Sequence, residues 1–224
     1  MILFTLNKMN MKKYLLILLL LIVGRAIAQH KKGIHDYSVI RLNEWVIPKT
    51  DTLDFEQANH EGKPALILKR KYDNYKSGSV AYPKGLNFTD GVIEFDIAST
   101  VGKAGYIGVA FRIRDQHHYE VIYFRPGASG TINAIQYMPE KKAEFNWWDY
   151  EAAKYQAKAD LQDKGWFHVK VIVKGGQFTL FLNNNPKPVF SYGALDPSLK
   201  SGSVGYWLGN TRSAAYRNLV VKPL

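Results

Sequence analysis

Two carboxylates stand two residues apart in Val92-Ile-Glu-Phe-Asp-Ile97, namely Glu94 and Asp96. In an extended strand such residues share a face, with Cα atoms roughly 6.5–7 Å apart. Carboxyl groups ~5–5.5 Å apart serve retaining glycoside hydrolysis, and wider pairs serve inverting hydrolysis. On a solvated outer face the same pair would only meet a neighbouring cation such as Arg112. Arg112 is itself a candidate, because a planar guanidinium holds two vicinal hydroxyls or a carboxylate through paired hydrogen bonds. Glu120 beside it would be either a ligand contact or a cross-strand ion-pair partner. Any acid or base catalysis falls to Glu94, Asp96 or Glu120, with a pKa shifted by burial or like charge.

Aromatic residues supply the second kind of candidate. In Phe145-Asn-Trp-Trp-Asp-Tyr150, Trp147 and Trp148 cannot both face a core if the segment is extended, so one stays near solvent. An aromatic plate covers the apolar C–H face of a sugar ring and leaves its polar edges free. The alternative is a lid packed over the edge of the fold. Gln136 and Tyr137, on the preceding strand, would extend such a site, whereas Trp45, Trp166 and Trp207 sit in strand patterns and are expected in a core. Arg114 and Arg125 fall at strand ends and read as surface charges.

Metal chemistry has little to build on. His117 and His118 are adjacent and point apart, so they do not ligate one ion together, and no metal site is expected from them. Asp90 and Asp115 lie in turns and could offer oxygens to calcium, without the further carboxylates such a site needs. There is no cysteine, hence no disulfide or thiolate site. No phosphate loop, nucleophile elbow or zinc motif occurs, so no cofactor is expected.

The elements that must position these residues are strands. Ile93, Phe95 and Ile97 alternate with Glu94 and Asp96. In Tyr106–Ile113 the apolar face is Ile107, Val109, Phe111 and Ile113, and the other face is Tyr106, Gly108, Ala110 and Arg112. The pattern predicts strands near 37–47, 52–56, 64–70, 78–82, 91–100, 105–114, 118–125 and 131–138. Others are expected near 155–161, 166–174, 177–183, 188–192, 202–208 and 214–222. Gly175-Gly176 joins two of them as a tight hairpin. Residues 151–164 have helical propensity, but Tyr155, Ala157, Ala159 and Leu161 alternate, which favours an edge strand or extended loop. These elements predict an all-β, two-sheet antiparallel β-sandwich, with six or seven strands per sheet.

Residues 1–28 read as a cleaved signal peptide: basic Lys12-Lys13, an aliphatic run from Tyr14 to Val23, and small residues in Ala26-Ile-Ala28. The run is too short to span ~30 Å of hydrocarbon, so no stable membrane insertion is expected after cleavage. Residues 29–224 would form a single exported domain, periplasmic or extracellular. Lys8, Lys12, Lys13 and Arg25 leave with the signal, which turns the formal +11 into +7. The remaining cations are scattered, which argues against nucleic acid and allows a mild preference for anionic polymers.

Several segments read together: Phe88-x-x-Gly-x-Ile-Glu-Phe-Asp-Ile97, Gly108-x-Ala-Phe-Arg112, His118-Tyr-Glu-Val121, Trp166-x-x-Val-Lys-Val171, Gly205-Tyr-Trp207 and Ala215-Tyr-Arg-Asn218. Over about residues 77–222 the chain resembles the concanavalin A-like lectin/glucanase superfamily. Within it, the likeness is to the secreted 3-keto-disaccharide hydrolase-like domains, relatives of laminin G modules and laminarinase-type enzymes. The resemblance implies a jelly roll with a concave sheet that binds carbohydrate, in which Arg112 and Glu120 match residues of the family's strands. Laminarinase-type enzymes use Glu-x-Asp-x-x-Glu, and the last position here is Ser99, so the full motif is absent. Three functions stay open: recognition of an oligo- or polysaccharide through Glu94, Asp96, Arg112, Glu120 and the tryptophans; hydrolysis of (3-keto) glycosidic linkages; and a protein-interaction scaffold.

Overall fold

Alternating side chains dictate the architecture, because a strand with one apolar face must bury it against a second layer. A computed structural model describes residues 33–48, 53–71, 78–101, 105–141 and 147–224, except the side chain of Trp148. The signal-peptide segment expected at 1–28 lies outside the described residues. Residues His35–Leu224 form one unit. No helix among the described residues is long and apolar enough to cross a membrane.

The strands are β1 (His35–Tyr37), β2 (Trp45–Val46), β3 (Leu53–His60), β4 (Lys63–Arg70), β5 (Ser79–Pro83), β6 (Gly91–Ser99), β7 (Ile107–Asp115) and β8 (His118–Phe124). They continue with β9 (Ile135–Glu140), β10 (Gln156–Ala157), β11 (Gly165–Lys174), β12 (Gln177–Leu182), β13 (Phe190–Tyr192), β14 (Ser203–Leu208) and β15 (Ser213–Pro223). One sheet of eight strands runs β13-β12-β11-β6-β15-β4-β3, with β1 also paired to β15; the other, of seven, runs β10-β9-β8-β7-β14-β5-β2. The expected strand at 37–47 is interrupted by a 3-10 turn at Leu42–Glu44, which accounts for the one strand more than expected among the described residues. In 151–164 helical propensity wins for a single turn, α1 (Ala152–Tyr155). Alternation then prevails: Ala157, Ala159 and Leu161 are buried, and β10 pairs with β9 at the sheet edge.

The inner faces meet as expected. Ile93, Phe95 and Ile97 of β6 and Val169, Val171 and Val173 of β11 pack in one core with Ile107, Val109 and Phe111 of β7 and Ile122 and Phe124 of β8. All are fully buried. Rings lock the layers together: Phe124 meets Phe167 edge-on at 5.3 Å, and Tyr206 stacks on Tyr216 at 4.6 Å.

One part of the alternation reading needs correction. Arg112 has a left-handed backbone, φ 52°, and the register of β7 slips against both neighbours around it. This is a β-bulge, and an inserted residue reverses which face the following side chains take. Ile113 therefore joins the outer apolar cluster rather than the core. Arg112 is 5% exposed and is not part of the outer face that its spacing suggested.

Truncating an inner-face ring removes packed atoms that the surrounding layers cannot replace. Phe95→Ala is expected to lower unfolding free energy by about 3–5 kcal/mol. Ile172→Ala, on the half-exposed outer side of β11, should cost about 1 kcal/mol or less. Urea unfolding of the two variants checks the assignment of faces.

Candidate functional site

The sandwich uses one face of each sheet, and the leftover face of the seven-stranded sheet is also apolar. Along β8, Ile122 and Phe124 point inward, so Tyr119, Val121 and Tyr123 point outward. They form a buried floor with Val80, Ala110, Ile113, Met138 and Trp207. Half-buried Tyr82, Tyr106, Trp147 and Tyr150 rise around it. Tyr123 is the hub: its ring centroid is 5.2 Å from Trp207, 5.8 Å from Tyr106 and 6.3 Å from Trp147, the last edge-on.

Glycines make room for this layer. A Cβ on Gly78 would lie 2.1 Å from Trp207 Nε1, and one on Gly209 would lie 2.2 Å from the far end of the same indole. Trp207 Nε1 donates to the Tyr119 hydroxyl at 3.1 Å. Burial holds the Tyr119 and Tyr123 hydroxyls far above their ordinary titration range, so both stay neutral. Polar groups border the floor. Gln136 donates to Gln156 Oε1 at 3.3 Å, Glu140 lies opposite Tyr119, and the Arg125 guanidinium sits 4.9 Å over the Tyr106 ring.

The structure divides the candidate residues into three places. Gln136 and Trp147 belong to the outer aromatic face just described. Glu94 and Asp96 lie on the other sheet, on the outer side of β6. Glu94 faces Lys170 at 3.8 Å and Lys222 at 3.5 Å. Asp96 is held by His168 Nδ1 at 2.8 Å and by the Asn218 amide, which donates at 2.7 Å, with Arg217 at 3.6 Å. Burial raises the Asp96 pKa, but hydrogen bonds from His168 and Asn218 and the charges of His168 and Arg217 outweigh it, leaving it below the usual carboxylate range. Asp96 is thus a poor proton donor near neutrality.

Arg112, Glu120 and Tyr137 form the third group, inside the sandwich at its rim. Arg112 donates to Thr89 O at 3.0 Å, Leu199 O at 3.3 Å and Asp90 Oδ1 at 3.1 Å. Glu120 is wholly buried. It accepts from the Tyr137 hydroxyl at 2.6 Å and from the Asp196 N–H at 3.0 Å. Arg112 and Glu120 therefore clamp the segment 195–199 at two points, beside an open cleft of about 330 Å³ lined by Asp90, Arg112, Asp196 and Lys200 among others. The four charged residues expected on one wall, Glu94, Asp96, Arg112 and Glu120, are not on one wall.

Other expectations resolve as follows. The side chain of Trp148 lies outside the described residues. Trp45 is in the core, but Trp207 belongs to the outer layer, and Trp166 is half-buried on the outside of the eight-stranded sheet, with Arg217 5.7 Å over its ring. Asp90 is engaged by Arg112 and by the Gly175 N–H, and Asp115 by His117 N–H and His118 Nδ1. Among the described residues no group of three His, Asp or Glu side chains converges as a metal-ion set. Tyr119, Tyr123 and Arg125 were missed, although the alternation of His118–Phe124 already placed the two tyrosines opposite Ile122 and Phe124.

Desolvation pushes the Glu120 pKa up from 4.5 to about 7, with the Tyr137 hydroxyl, the Arg112 charge and the Asp196 N–H pulling partly the other way. The native protein thus binds this proton more tightly than the unfolded chain does. The resulting stabilisation is full below pH ~4.5 and is lost as pH rises through about 7. Unfolding free energy should be about 2–3 kcal/mol higher at pH 5 than at pH 8 on this account. Glu120→Gln should flatten that difference in urea titrations at the two pH values.

No protein-family model matches the chain, and no curated protein matches it. Solved structures do. A carbohydrate-binding module, CBM66 from Bacillus subtilis, aligns at TM-score 0.56 and 14% identity, over 80% of this chain and 96% of that one. A Bacillus subtilis protein with a galectin-like fold aligns at TM-score 0.56 and 14% identity, over 84% and 94%. The exoplasmic/lumenal domain of VIP36, in a form bound to Ca2+ and Man3GlcNAc, aligns at TM-score 0.55 and 10% identity, over 86% and 93%. The fold is the galectin-like, concanavalin A-like β-sandwich.

Proposed function

We propose that this chain is an exported glycan-binding protein whose ligand lies against the outer face of the seven-stranded sheet. The observation that carries the reading is the second aromatic layer on that face. A two-layer sandwich is complete without it, and exposed or half-exposed aromatic clusters mark binding surfaces. Trp147, Tyr82 and Tyr150 offer apolar faces for sugar C–H groups, and Gln136, Gln156 and Arg125, the last lying over Tyr106, border them with polar groups. The fold shared with a carbohydrate-binding module and with VIP36 in its mannose-containing complex supports the same reading. Export rests on the basic, aliphatic and small-residue segments before Gln29. Hydrolysis has less support, because Glu94 and Asp96 are tied to cations on the opposite sheet and Glu120 is buried among its partners.

A glycan array followed by calorimetry on the best ligand tests this. Trp147→Ala should weaken binding at least about tenfold, and Trp166→Phe, on the other sheet, should leave it unchanged. Binding to no glycan rejects the function; sensitivity to Trp166 with indifference to Trp147 rejects the face.

A further inference from the structure

We propose that the glycan held on this face carries an oxyanion, a carboxylate or sulfate, which is received by Arg125; this rests on the glycan-binding reading above. Arg125 follows directly after β8, and its guanidinium covers Tyr106, itself in contact with the hub ring of Tyr123. Its backbone is anchored: the Arg125 N–H donates to Ala134 O at 2.8 Å, and its carbonyl accepts from Ala128 N–H at 2.8 Å. Gly105 lies so close that a Cβ there would be 2.7 Å from Arg125 Cα. The side chain therefore springs from a fixed point beside the aromatic layer.

Several cations among the described residues are paired with carboxylates. Arg112 has Asp90, Arg217 has Asp96, Lys141 has Asp196, and Lys170 and Lys222 share Glu94. Arg125 is half-buried, and among the described residues no carboxylate lies within ion-pairing distance of it. One acidic side chain on the same face, Glu140, is opposite Tyr119, six residues back along the chain and so about 20 Å away.

A guanidinium lying on a ring is oriented by the ring quadrupole and keeps its in-plane N–H edge free. That edge matches the two oxygens of a carboxylate or sulfate. Partial burial strengthens such a pair relative to bulk water. With Lys8, Lys12, Lys13 and Arg25 removed with the signal segment, 26 Lys and Arg remain against 19 Asp and Glu, an excess that draws anionic polymers towards the surface.

The test uses paired probes that differ in the anion alone: oligogalacturonate against its methyl ester, and heparin oligosaccharide against the desulfated form. Binding is measured by calorimetry at 50 and 300 mM NaCl. At least one anionic member is expected to bind tenfold or more tighter than its neutral partner and to weaken as salt rises. Arg125→Gln should erase that preference, Arg125→Lys should keep part of it, and Lys170→Gln, on the other sheet, should leave it intact. Equal binding of charged and neutral partners that still depends on Trp147 overturns the anionic inference and leaves the glycan reading standing. Loss of the preference in Lys170→Gln as large as in Arg125→Gln also overturns it, because the attraction is then diffuse. No binding of any glycan, charged or neutral, rejects the underlying reading itself.

Discussion

Inter-sheet packing of Ile93, Phe95 and Ile97 against Val109, Phe111 and Ile122 is the interaction on which every other feature rests. It sets the phase of β6, β7 and β8, because burying one face of a strand commits the opposite face. On the eight-stranded sheet the committed outer face became an ionic lattice of Glu94, Asp96, His168, Lys170, Arg217 and Lys222. On the seven-stranded sheet it became an aromatic layer centred on Tyr123. The two outer faces differ in chemistry although both are forced by the same core.

The bulge at Arg112 is where the phase changes. Its left-handed residue turns a guanidinium that alternation would have sent outward into a hydrogen-bonded clamp on Thr89, Asp90 and Leu199. Glu120, wholly buried, holds the same segment through the Asp196 N–H. A buried carboxylate with two donors is costly when ionised, since hydrogen bonds replace only part of the lost hydration. That is why proton uptake at Glu120 is tied to stability, and why these two residues act in holding the rim of the sandwich.

Much of the fold is legible in the sequence. The strands at 64–70, 91–100, 166–174 and 202–208 appear within a residue or so of their expected ends, because period-two alternation and Gly or Asn turns are local properties. The site was less readable. Alternation puts Glu94 and Asp96 on the face opposite Ile93, Phe95 and Ile97, yet which neighbours that face meets depends on β6 pairing with β11 and β15, from Gly165 opposite Ser99 to Pro223 opposite Gly91, far along the chain. Trp147 and Gln136 reached the aromatic face, whereas Tyr137, one residue from Gln136, points to the core and bonds Glu120.

The chain on its own determined which residues share a side of each strand, and hence that a double-layered, disulfide-free sandwich must form. This follows from backbone geometry, which needs only near neighbours. Tertiary structure alone decided which outer face is charged and which is aromatic, that Trp207 fits between Gly78 and Gly209, and that Arg125 rests on Tyr106. Those outcomes depend on strand order and on a bulge that shifts register, and both are settled by contacts between residues distant in sequence.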